Sequence, residues 1–203
     1  MNLIVIIPCF NEGATVGDVV RNVPDTLPGV DSVRVVVIDD GSTDTTAKDA
    51  RAAGATVISN EQNRGLGYTF NRGLKTALRM NADIIVNMDG DGQFNPRDIR
   101  KLVAPITEQQ ADFVTASRFK DPQLRPQMPT MKLWGNRLMS RMVSRMIGER
   151  YCDVSCGFRA YSREAALRLN LWGAFTYTQE SFLDLAVKEM RIQEVPVKVL
   201  GVR

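Results

Sequence analysis

The segment NMDGDGQFNP, residues 87–96, follows a short apolar run and decides how the chain is organised. The run itself, residues 83–88 (DIIVNM), is of the kind that is buried on both faces in a parallel sheet. Behind it, Asn95 and Pro96 are residue types that begin helices, Asn as the N-cap and Pro at the first helical position. The segment therefore predicts a strand, a tight glycine turn that carries two carboxylates, and then a helix.

The same alternation of strand and helix continues in both directions from this segment. Apolar runs predict strands at residues 3–7, 33–38, 55–58, 83–88 and 112–116. Helical patterns occupy residues 15–23, 43–53, 67–80 and 96–109. Later patterns predict a helix at 131–150, a strand and turn at 153–163, a helix at 163–169 and a last strand at 194–200. Such an order is typical of an α/β fold with a mostly parallel, doubly wound sheet, and we expect one domain over residues 1–203.

The composition is that of a folded protein and excludes several classes. Of 203 residues, 44% are hydrophobic, and the net charge of +3 is too small to indicate a nucleic acid partner. No run approaches the roughly 20 apolar residues of a membrane span. No basic region precedes residues 3–7, so they predict a buried strand and not a signal peptide. Three cysteines without a disulfide framework fit a reducing compartment.

Carboxylates gather where the predicted strands end. The segments PCFNE, DDGSTD and DGDGQ follow three of these strands, at residues 8–12, 39–44 and 89–93. In open parallel sheets, ligands bind beyond the carboxyl ends of the strands. We therefore expect three carboxylate-bearing loops to converge on one binding edge.

Asp89 and Asp91 are the candidate metal ligands. Two carboxylates in one tight turn repel each other unless a cation lies between them. The chain contains no histidine, and oxygen ligands alone favour Mg²⁺ or Mn²⁺ over zinc. The alternative is an acidic turn exposed to water.

Asp39 and Asp40, at the end of the second predicted strand, have two interpretations. Their carboxylates can accept hydrogen bonds from a nucleobase or from ribose hydroxyls. Alternatively, one of them caps the next helix, although Ser42 or Thr43 can do the same.

Two further polar segments lie at the same predicted edge. Asn11 and Glu12 follow the first strand and either contact a ligand or cap the helix behind them. Arg64 and Gly65 supply a guanidinium and a flexible turn, suited to a phosphate or a base edge, or form a solvated loop.

In their order along the chain, the motifs IIPCFNE, VVVIDDGSTDTT, NRGLGYTFNRGL and NMDGDGQFNP resemble the family 2 glycosyltransferases of the GT-A fold. This resemblance covers about the first 120 residues. The later segment GNRLMSRMVSRMIGERYCDVSCGFRAYSREA is similar to one branch, the polyprenyl-phosphate sugar transferases such as dolichyl-phosphate mannosyltransferases. The resemblance implies one catalytic domain with a nucleotide-binding half at about 1–120 and an acceptor half at about 121–203.

The resemblance also implies roles for individual residues. The nucleotide-sugar donor would be bound by Pro8, Asn11, Glu12, Asp39, Asp40, Arg64, Gly65 and Asp89. A Mg²⁺ or Mn²⁺ ion on the donor diphosphate would be held by Asp89, Asp91 and Gln93. The acceptor phosphate would be met by Arg118, Lys132, Arg137 and Arg203. Of these residues, Asp91 and Arg118 would take part in catalysis.

The chemistry of the acceptor leads to a prediction of its own. A hydroxyl acceptor needs a general base, and family members that use one place a Glu-Asp pair at the start of a late helix. The corresponding residues 178–181 are TQES, so the pair is absent, although Glu180 or Asp184 can act as a base. A phosphate acceptor is already an anion and needs cations instead. We expect inverting transfer of a hexose from GDP-mannose or a UDP-hexose to a polyprenyl or dolichyl phosphate.

Two alternatives stay open, and a third is disfavoured. A glycan or other hydroxyl acceptor would require Glu180 as the catalytic base. A non-catalytic subunit that only binds nucleotide sugars would retain the same donor pocket. A nucleotidyltransferase is disfavoured, because no glycine-rich loop with Arg and Lys follows the first strand.

The predicted helix at 131–150 is amphipathic and basic. Apolar residues at helical spacing are Met131, Trp134, Leu138, Met142 and Met146. A neighbouring face carries Lys132, Arg137, Arg141 and Arg145. Such a helix either lies on an anionic membrane surface or packs its apolar side into the core. With the resemblance, we expect a cytoplasmic protein bound peripherally to the cytoplasmic face of a membrane, whose methionines adapt to an isoprenoid chain.

Overall fold

The computed structural model describes residues 1–171 and 177–201. Within this part of the chain, the strands are Asn2–Cys9 (β1), Ser32–Asp39 (β2), Thr56–Ser59 (β3), Ile84–Asn87 (β4), Phe113–Ser117 (β5), Arg159–Ser162 (β6) and Ile192–Pro196 (β7). The helices are Gly13–Arg21 (α1), Thr46–Ala52 (α2), Leu66–Arg79 (α3), Ile99–Thr107 (α4), Thr130–Ile147 (α5), Arg163–Arg168 (α6) and Tyr177–Val187 (α7). Short 3₁₀ turns at Pro96–Asp98 and Pro122–Leu124 precede α4 and α5.

All of these strands form one mostly parallel sheet in the order β3-β2-β1-β4-β6-β5-β7. The strands β1 to β4 pair in parallel, and β5 pairs in parallel with β7. Between them lies β6, antiparallel to both β4 and β5. The predicted mostly parallel α/β sheet flanked by helices is confirmed.

The core lies on both faces of the sheet. Along β1, Leu3, Val5 and Ile7 pack on the face covered by α1 and α4. The alternate residues Ile4 and Ile6 pack on the other face, with residues of α3, α6 and α7. All five side chains are fully buried. This burial on two faces is the reason that the first strand is continuously apolar in the sequence.

Two strands differ from the predicted ranges. The predicted strand and turn at 153–163 contains only the four strand residues of β6, because residues 153–158 form a loop whose polar groups bond to other segments. The predicted strand at 194–200 instead starts at Ile192 and ends at Pro196, after which the Val197 N–H still donates to the Ser117 carbonyl of β5 at 3.1 Å. Beyond it, Val199 pairs with Phe94 of the turn that follows β4.

The start of α2 shows which polar side chains serve as caps. Helix α2 starts at Thr46 and not at residue 43, because Asp44 accepts a hydrogen bond from the Thr46 N–H at 2.9 Å. The expected caps Ser42 and Thr43 bond instead to Asn11, at the end of β1. Ahead of α4, the Asn95 side chain accepts the Arg97 N–H at 3.1 Å, as the N-cap prediction required.

Gly90 is the point at which the turn after β4 approaches β1 most closely. A Cβ atom added to Gly90 would lie well inside van der Waals contact of the Cys9 sulfur, and the next nearest atom, Cγ2 of Ile7, would be at 3.4 Å. The turn can therefore lie against the end of β1 only because residue 90 has no side chain. This contact positions both aspartates of the turn relative to the other loops.

We predict that Gly90→Ala lowers the free energy of unfolding by about 1–3 kcal/mol, because the added methyl group overpacks this contact. Adding Cys9→Ala removes the clashing sulfur and should restore part of the loss, with a coupling energy of about 0.5–3 kcal/mol in a double-mutant cycle. Urea unfolding of the four proteins measures this. The matched control is Gly135→Ala in α5, where nothing lies within 4 Å of the added Cβ. Equal effects at residues 90 and 135, or no coupling to Cys9, would contradict the proposed contact.

Candidate active site

The loops after β1 and β2 are bonded to each other at the carboxyl edge of the sheet. Asn11 has a left-handed backbone with φ of 55°. Its N–H donates to the Ser42 hydroxyl at 2.9 Å, and its side-chain oxygen accepts the Thr43 N–H at 2.9 Å. The Glu12 N–H donates to the Thr46 hydroxyl at 2.8 Å. Asn11 and Glu12 thus fix the relative position of two loops that were predicted to meet at one edge.

The two aspartates at the end of β2 have different surroundings. Asp40 accepts hydrogen bonds from the backbone N–H groups of Arg64 at 2.9 Å and Gly65 at 2.8 Å, and from the side chain of Asn60 at 2.6 Å. Its carboxylate therefore holds the turn before α3. The Asp39 carboxylate accepts the Ser42 N–H at 3.0 Å, and the Asp39 backbone carbonyl accepts the Asn60 N–H at 2.8 Å. Both carboxylates are buried, and that of Asp39 accepts fewer hydrogen bonds than that of Asp40 among the described residues.

The remaining candidate donor residues lie around this edge at different depths. Pro8 is buried within β1, in register with Ile38 of β2. The exposed Arg64 places its guanidinium 4.6 Å from the centre of the Tyr68 ring. Gly65, with φ of 88°, provides the left-handed backbone that lets α3 begin there. The surface at this edge of the sheet is thus made mainly by loop ends.

The turn after β4 orients Asp91 through its own residues. The Gln93 N–H donates to Asp91 Oδ1 at 3.0 Å, and the Gln93 side-chain amide donates to Asp91 Oδ2. The Gly90 carbonyl accepts a hydrogen bond from the Thr15 hydroxyl at 2.7 Å, which ties the turn to α1. Gln93 was predicted to bind the metal together with Asp91, and in the structure it contacts the Asp91 carboxylate.

Asp89 is held in a confined place under the turn. A Cβ added to Gly157 would lie 3.1 Å from Asp89 Oδ2 and 3.3 Å from the Tyr177 hydroxyl oxygen, so the loop before β6 packs directly on this carboxylate. Burial and, second to it, the charge of Asp91 raise the pKa of Asp89 to about 6, while Arg118 and Arg159 act in the opposite direction. The charged form of Asp89 is therefore costly without a cation.

The donor set at this turn suits a hard divalent ion. Among the residues that the structure describes, no group of three or more His, Cys, Asp or Glu side chains could enclose a metal. Two carboxylates are present, and their repulsion contributes to the raised pKa of Asp89. Such a pair fits Mg²⁺ or Mn²⁺, which keep several positions for water and for phosphate oxygens. An ion of that kind would be shared between the protein and its ligand.

Arg159 places a buried positive charge near Asp89, and the sequence analysis missed it. The side chain is fully buried. Its guanidinium donates to the backbone carbonyls of Cys156 at 2.6 Å, Thr178 at 2.7 Å and Val154 at 2.9 Å. It makes no ion pair among the described residues, so its charge acts on Asp89 without being neutralised. A cation within the otherwise apolar strand segment GFRAY was the available signal.

Arg118 is fixed by a second group that the sequence analysis missed. Its Nε and Nη2 atoms donate to Asp153 at 2.6 and 2.9 Å, a bidentate pair in which the Asp153 side chain is fully buried. Glu194 of β7 in turn accepts the N–H groups of Cys152 and Asp153 at 2.9 and 2.8 Å. The carboxylate of Glu194 thus holds the loop that holds Arg118. Asp153 and Glu194 are positioning residues.

The other predicted cations are less closely placed. Lys132 and Arg137 are exposed on α5, and Arg137 lines a cleft beside that helix. The α5 residues that bond to the loop beside Arg118 are Asn136 and Ser140, whose side chains reach Ser155 and the Cys152 carbonyl. Arg203 lies outside the described residues.

Of the two candidate bases, Asp184 is engaged elsewhere. It pairs with Lys188 at 2.7 Å and accepts the Asn170 N–H at 2.9 Å. Glu180 is half-buried in the first turn of α7.

The apolar stripe of α5 faces outward. The exposed fractions are 82% for Met131, 68% for Trp134 and 70% for Met146. The alternative in which this side packs into the core is therefore wrong. No helix in residues 1–171 or 177–201 has the length and apolar character needed to cross a membrane.

We predict that Asp153→Ala lowers the free energy of unfolding by about 3 kcal/mol or more, because it leaves the largely buried guanidinium of Arg118 without its partner. Urea unfolding measures the loss. In the matched control, Asp18→Ala breaks the exposed pair with Arg21 and should change stability by no more than about 1 kcal/mol. Similar losses in the two variants would show that the Arg118–Asp153 pair does not hold this part of the site.

Comparisons with known proteins agree with the fold described above. Residues 4–169 match the family model described as glycosyl transferase family 2. A UDP-N-acetylglucosamine–dolichyl-phosphate N-acetylglucosaminyltransferase of Methanococcus voltae is 32% identical, over 96% of this chain and 84% of the relative. An undecaprenyl-phosphate mannosyltransferase of Micrococcus luteus is 30% identical, over 97% of this chain and 83% of the relative.

A solved structure shares the fold. Glucosyl-3-phosphoglycerate synthase from Mycobacterium tuberculosis, in complex with Mn²⁺, UDP and phosphoglyceric acid, superposes with a TM-score of 0.76 at 24% identity, over 100% of this chain and 70% of that one. The family match spans four fifths of the sequence and includes every strand that carries the carboxylate loops. The chain therefore belongs to glycosyl transferase family 2, has a GT-A-type fold and resembles the polyprenyl-phosphate sugar transferases.

Proposed function

We propose that this glycosyltransferase moves a hexose, with inversion, from GDP-mannose or a UDP-hexose to a polyprenyl or dolichyl phosphate. The observation that carries the proposal is the pairing of two unlike sites at one sheet edge. One is a carboxylate pair in which the half-buried Asp89 has a raised pKa that a cation would relieve, and the other is a guanidinium held in a fixed position by a buried aspartate. The first suits a leaving diphosphate with its metal, and the second suits an anionic acceptor. The relatives from M. voltae and M. luteus carry names that include dolichyl phosphate and undecaprenyl phosphate, which supports this choice.

Asp89 and Asp91 would hold the Mg²⁺ or Mn²⁺ ion, with Gln93 keeping Asp91 oriented toward it. When bound, such an ion neutralises the charge that develops on the departing diphosphate. The raised pKa of Asp89 supports this assignment, because a cation relieves the cost of its charged form. The complex of the structural neighbour with Mn²⁺ and UDP is consistent with it.

The donor nucleotide would lie over the loop ends of residues about 1–120, and the acceptor over residues about 121–203. Asn11 and Glu12 would hold the first two loops together at the donor edge, beside Asp39, while Asp40 keeps the Arg64–Gly65 turn in place. This division of the single domain follows the order of the motifs along the chain.

The acceptor half would bind the lipid phosphate and orient its oxygen. Asp153 and Ser155 engage the Nε and Nη2 atoms of Arg118, which fixes the plane of the guanidinium. The phosphate oxygen would form a bond to the anomeric carbon on the side opposite the diphosphate, whose bond to that carbon breaks. Because the attacking oxygen is already an anion, no proton has to be removed. Lys132, Arg137 and Arg203 remain candidates for further contacts to this phosphate.

The structure gives less support to the two alternative functions, transfer to a hydroxyl acceptor and nucleotide-sugar binding without catalysis. A hydroxyl acceptor requires a base, and Glu180 is the candidate that remains after Asp184 is engaged by Lys188. A non-catalytic nucleotide-sugar-binding subunit would explain the pair of Asp89 and Asp91 but not the oriented guanidinium of Arg118 in the acceptor half. We therefore prefer the phosphate acceptor, with the enzyme bound peripherally to the cytoplasmic face of a membrane.

We predict that the purified protein transfers labelled hexose to polyprenyl phosphate only with a divalent ion. Incubation with a panel of labelled GDP- and UDP-sugars should give a labelled lipid that EDTA abolishes and that Mn²⁺ or Mg²⁺ restores. Asp91→Asn should lower kcat at least about 100-fold, because it weakens the site that stabilises the leaving diphosphate.

The matched control is Asp25→Asn, an exposed carboxylate between α1 and β2 at the opposite end of the sheet. It should leave transfer unchanged. Transfer that persists in EDTA would exclude the metal, and a lack of labelled lipid from every donor would exclude the acceptor.

A further inference from the structure

A cleft beside α5 is lined by arginines. Its volume is about 740 Å³. Arg137, Arg141 and Arg145 project into it from successive turns of α5, Arg125 comes from the segment before the helix, and Arg150 from the segment after it. Its other lining residues are Phe119, Ser140, Ser144, Tyr151 and Cys152. Five guanidinium groups from three consecutive segments thus share one concave surface.

The charges of this cleft are not neutralised by the protein. Within residues 1–171 and 177–201, none of its arginines forms an ion pair. Two carboxylates beside it are engaged by other groups: Glu149 accepts a hydrogen bond from the Tyr151 hydroxyl at 2.7 Å, and Glu194 accepts the Cys152 N–H at 2.9 Å. The cleft alone carries five positive charges, whereas the net charge of the whole chain is +3, so positive charge is concentrated in the cleft. Such a concentration of like charge favours an anionic ligand.

An exposed apolar ridge runs along the same helix. Its members are Met131, Trp134, Leu138 and Met142, with exposed fractions of 82%, 68%, 43% and 52%. Large apolar side chains in such number on one exposed helix are unusual for a surface that meets only water. A bilayer presents the matching pair of features, an anionic layer of headgroups above apolar chains.

We propose that the arginine cleft binds phosphate groups of anionic phospholipids while the ridge enters the bilayer interface. Arginine stems would lie against the ridge, and their guanidinium groups would remain at the depth of the headgroups. The role of this membrane binding rests on the proposed function, because the binding brings the enzyme to the surface where a polyprenyl phosphate lies. The binding itself needs neither donor nor sugar transfer.

The cleft extends away from Arg118, although Arg137, a candidate contact of the acceptor phosphate, is one of its lining residues. Arg118 does not line it. Between them lies the loop whose Asp153 is bonded to Arg118 and whose Cys152 carbonyl is bonded to Ser140 of α5. A phospholipid headgroup in the cleft therefore leaves Arg118 available to the acceptor.

Two other occupants fit the surface less well. A second copy of the chain, packed through the same face about a twofold axis, would bring five arginines against five arginines. A nucleic acid would satisfy the charges but would leave the methionines and Trp134 without a partner. Both remain outcomes of the test.

The test is sedimentation with vesicles of phosphatidylcholine alone or mixed with phosphatidylglycerol. Wild-type protein should bind the anionic vesicles, and added salt should weaken this binding. Arg141→Gln combined with Arg145→Gln should weaken it roughly 30-fold, on the basis of about 1 kcal/mol for each basic residue near an anionic surface. Trp134→Ala should weaken binding as well, which an attraction of charges alone would not predict.

The matched control is Arg97→Gln combined with Arg100→Gln, which removes the same charge from exposed positions at the start of α4 and should bind like the wild type. The melting temperature of each variant checks that it is folded. Equal binding by the two double variants would overturn the proposal, as would arginine-dependent binding of an RNA oligonucleotide without vesicle binding, or dimerisation through α5. Because no sugar donor is present, failure here is distinct from failure of the proposed transfer reaction.

Discussion

The repulsion between the carboxylates of Asp89 and Asp91 is the constraint around which the carboxyl edge of the sheet is built. Asp91 is oriented by Gln93, and Asp89 lies under a loop that approaches it through Gly157. Gly90 lets the turn rest on Cys9, which fixes the backbone between the two aspartates. Burial and mutual repulsion raise the pKa of Asp89 to about 6, and a divalent ion is the natural compensation. The proposed metal site is a consequence of this enforced proximity.

Positive charge is distributed around that pair in a graded manner. Arg159 lies within the core and acts on Asp89 through space, since its hydrogen bonds go to backbone carbonyls. Arg118 lies nearer the surface, where Asp153 fixes its orientation. Farther out, the arginines beside α5 face solvent. The cations thus range from the fully buried Arg159 through the partly buried Arg118 to the exposed arginines beside α5.

Sequence patterns were sufficient for the sheet and for the loops at its edge, because buried parallel strands are continuously apolar and their carboxyl ends carry Asp and Asn. They were not sufficient for β6, whose antiparallel insertion between β4 and β5 depends on long-range pairing. The buried roles of Asp153, Arg159 and Glu194 were also missed, since each depends on partners distant in sequence. The pattern of α5 was recognised as amphipathic, but only the structure shows that its apolar side is exposed.

The central claim is that the site receives an anion and does not activate a hydroxyl. The most direct measurement compares two acceptors of equal chain length, polyprenyl phosphate and the corresponding polyprenol, with wild-type protein and with Glu180→Gln. The account predicts labelled product from the phosphate alone, formed by both proteins at similar rates, because no base is required. Transfer to the polyprenol that is lost in Glu180→Gln would contradict it and would identify Glu180 as a general base.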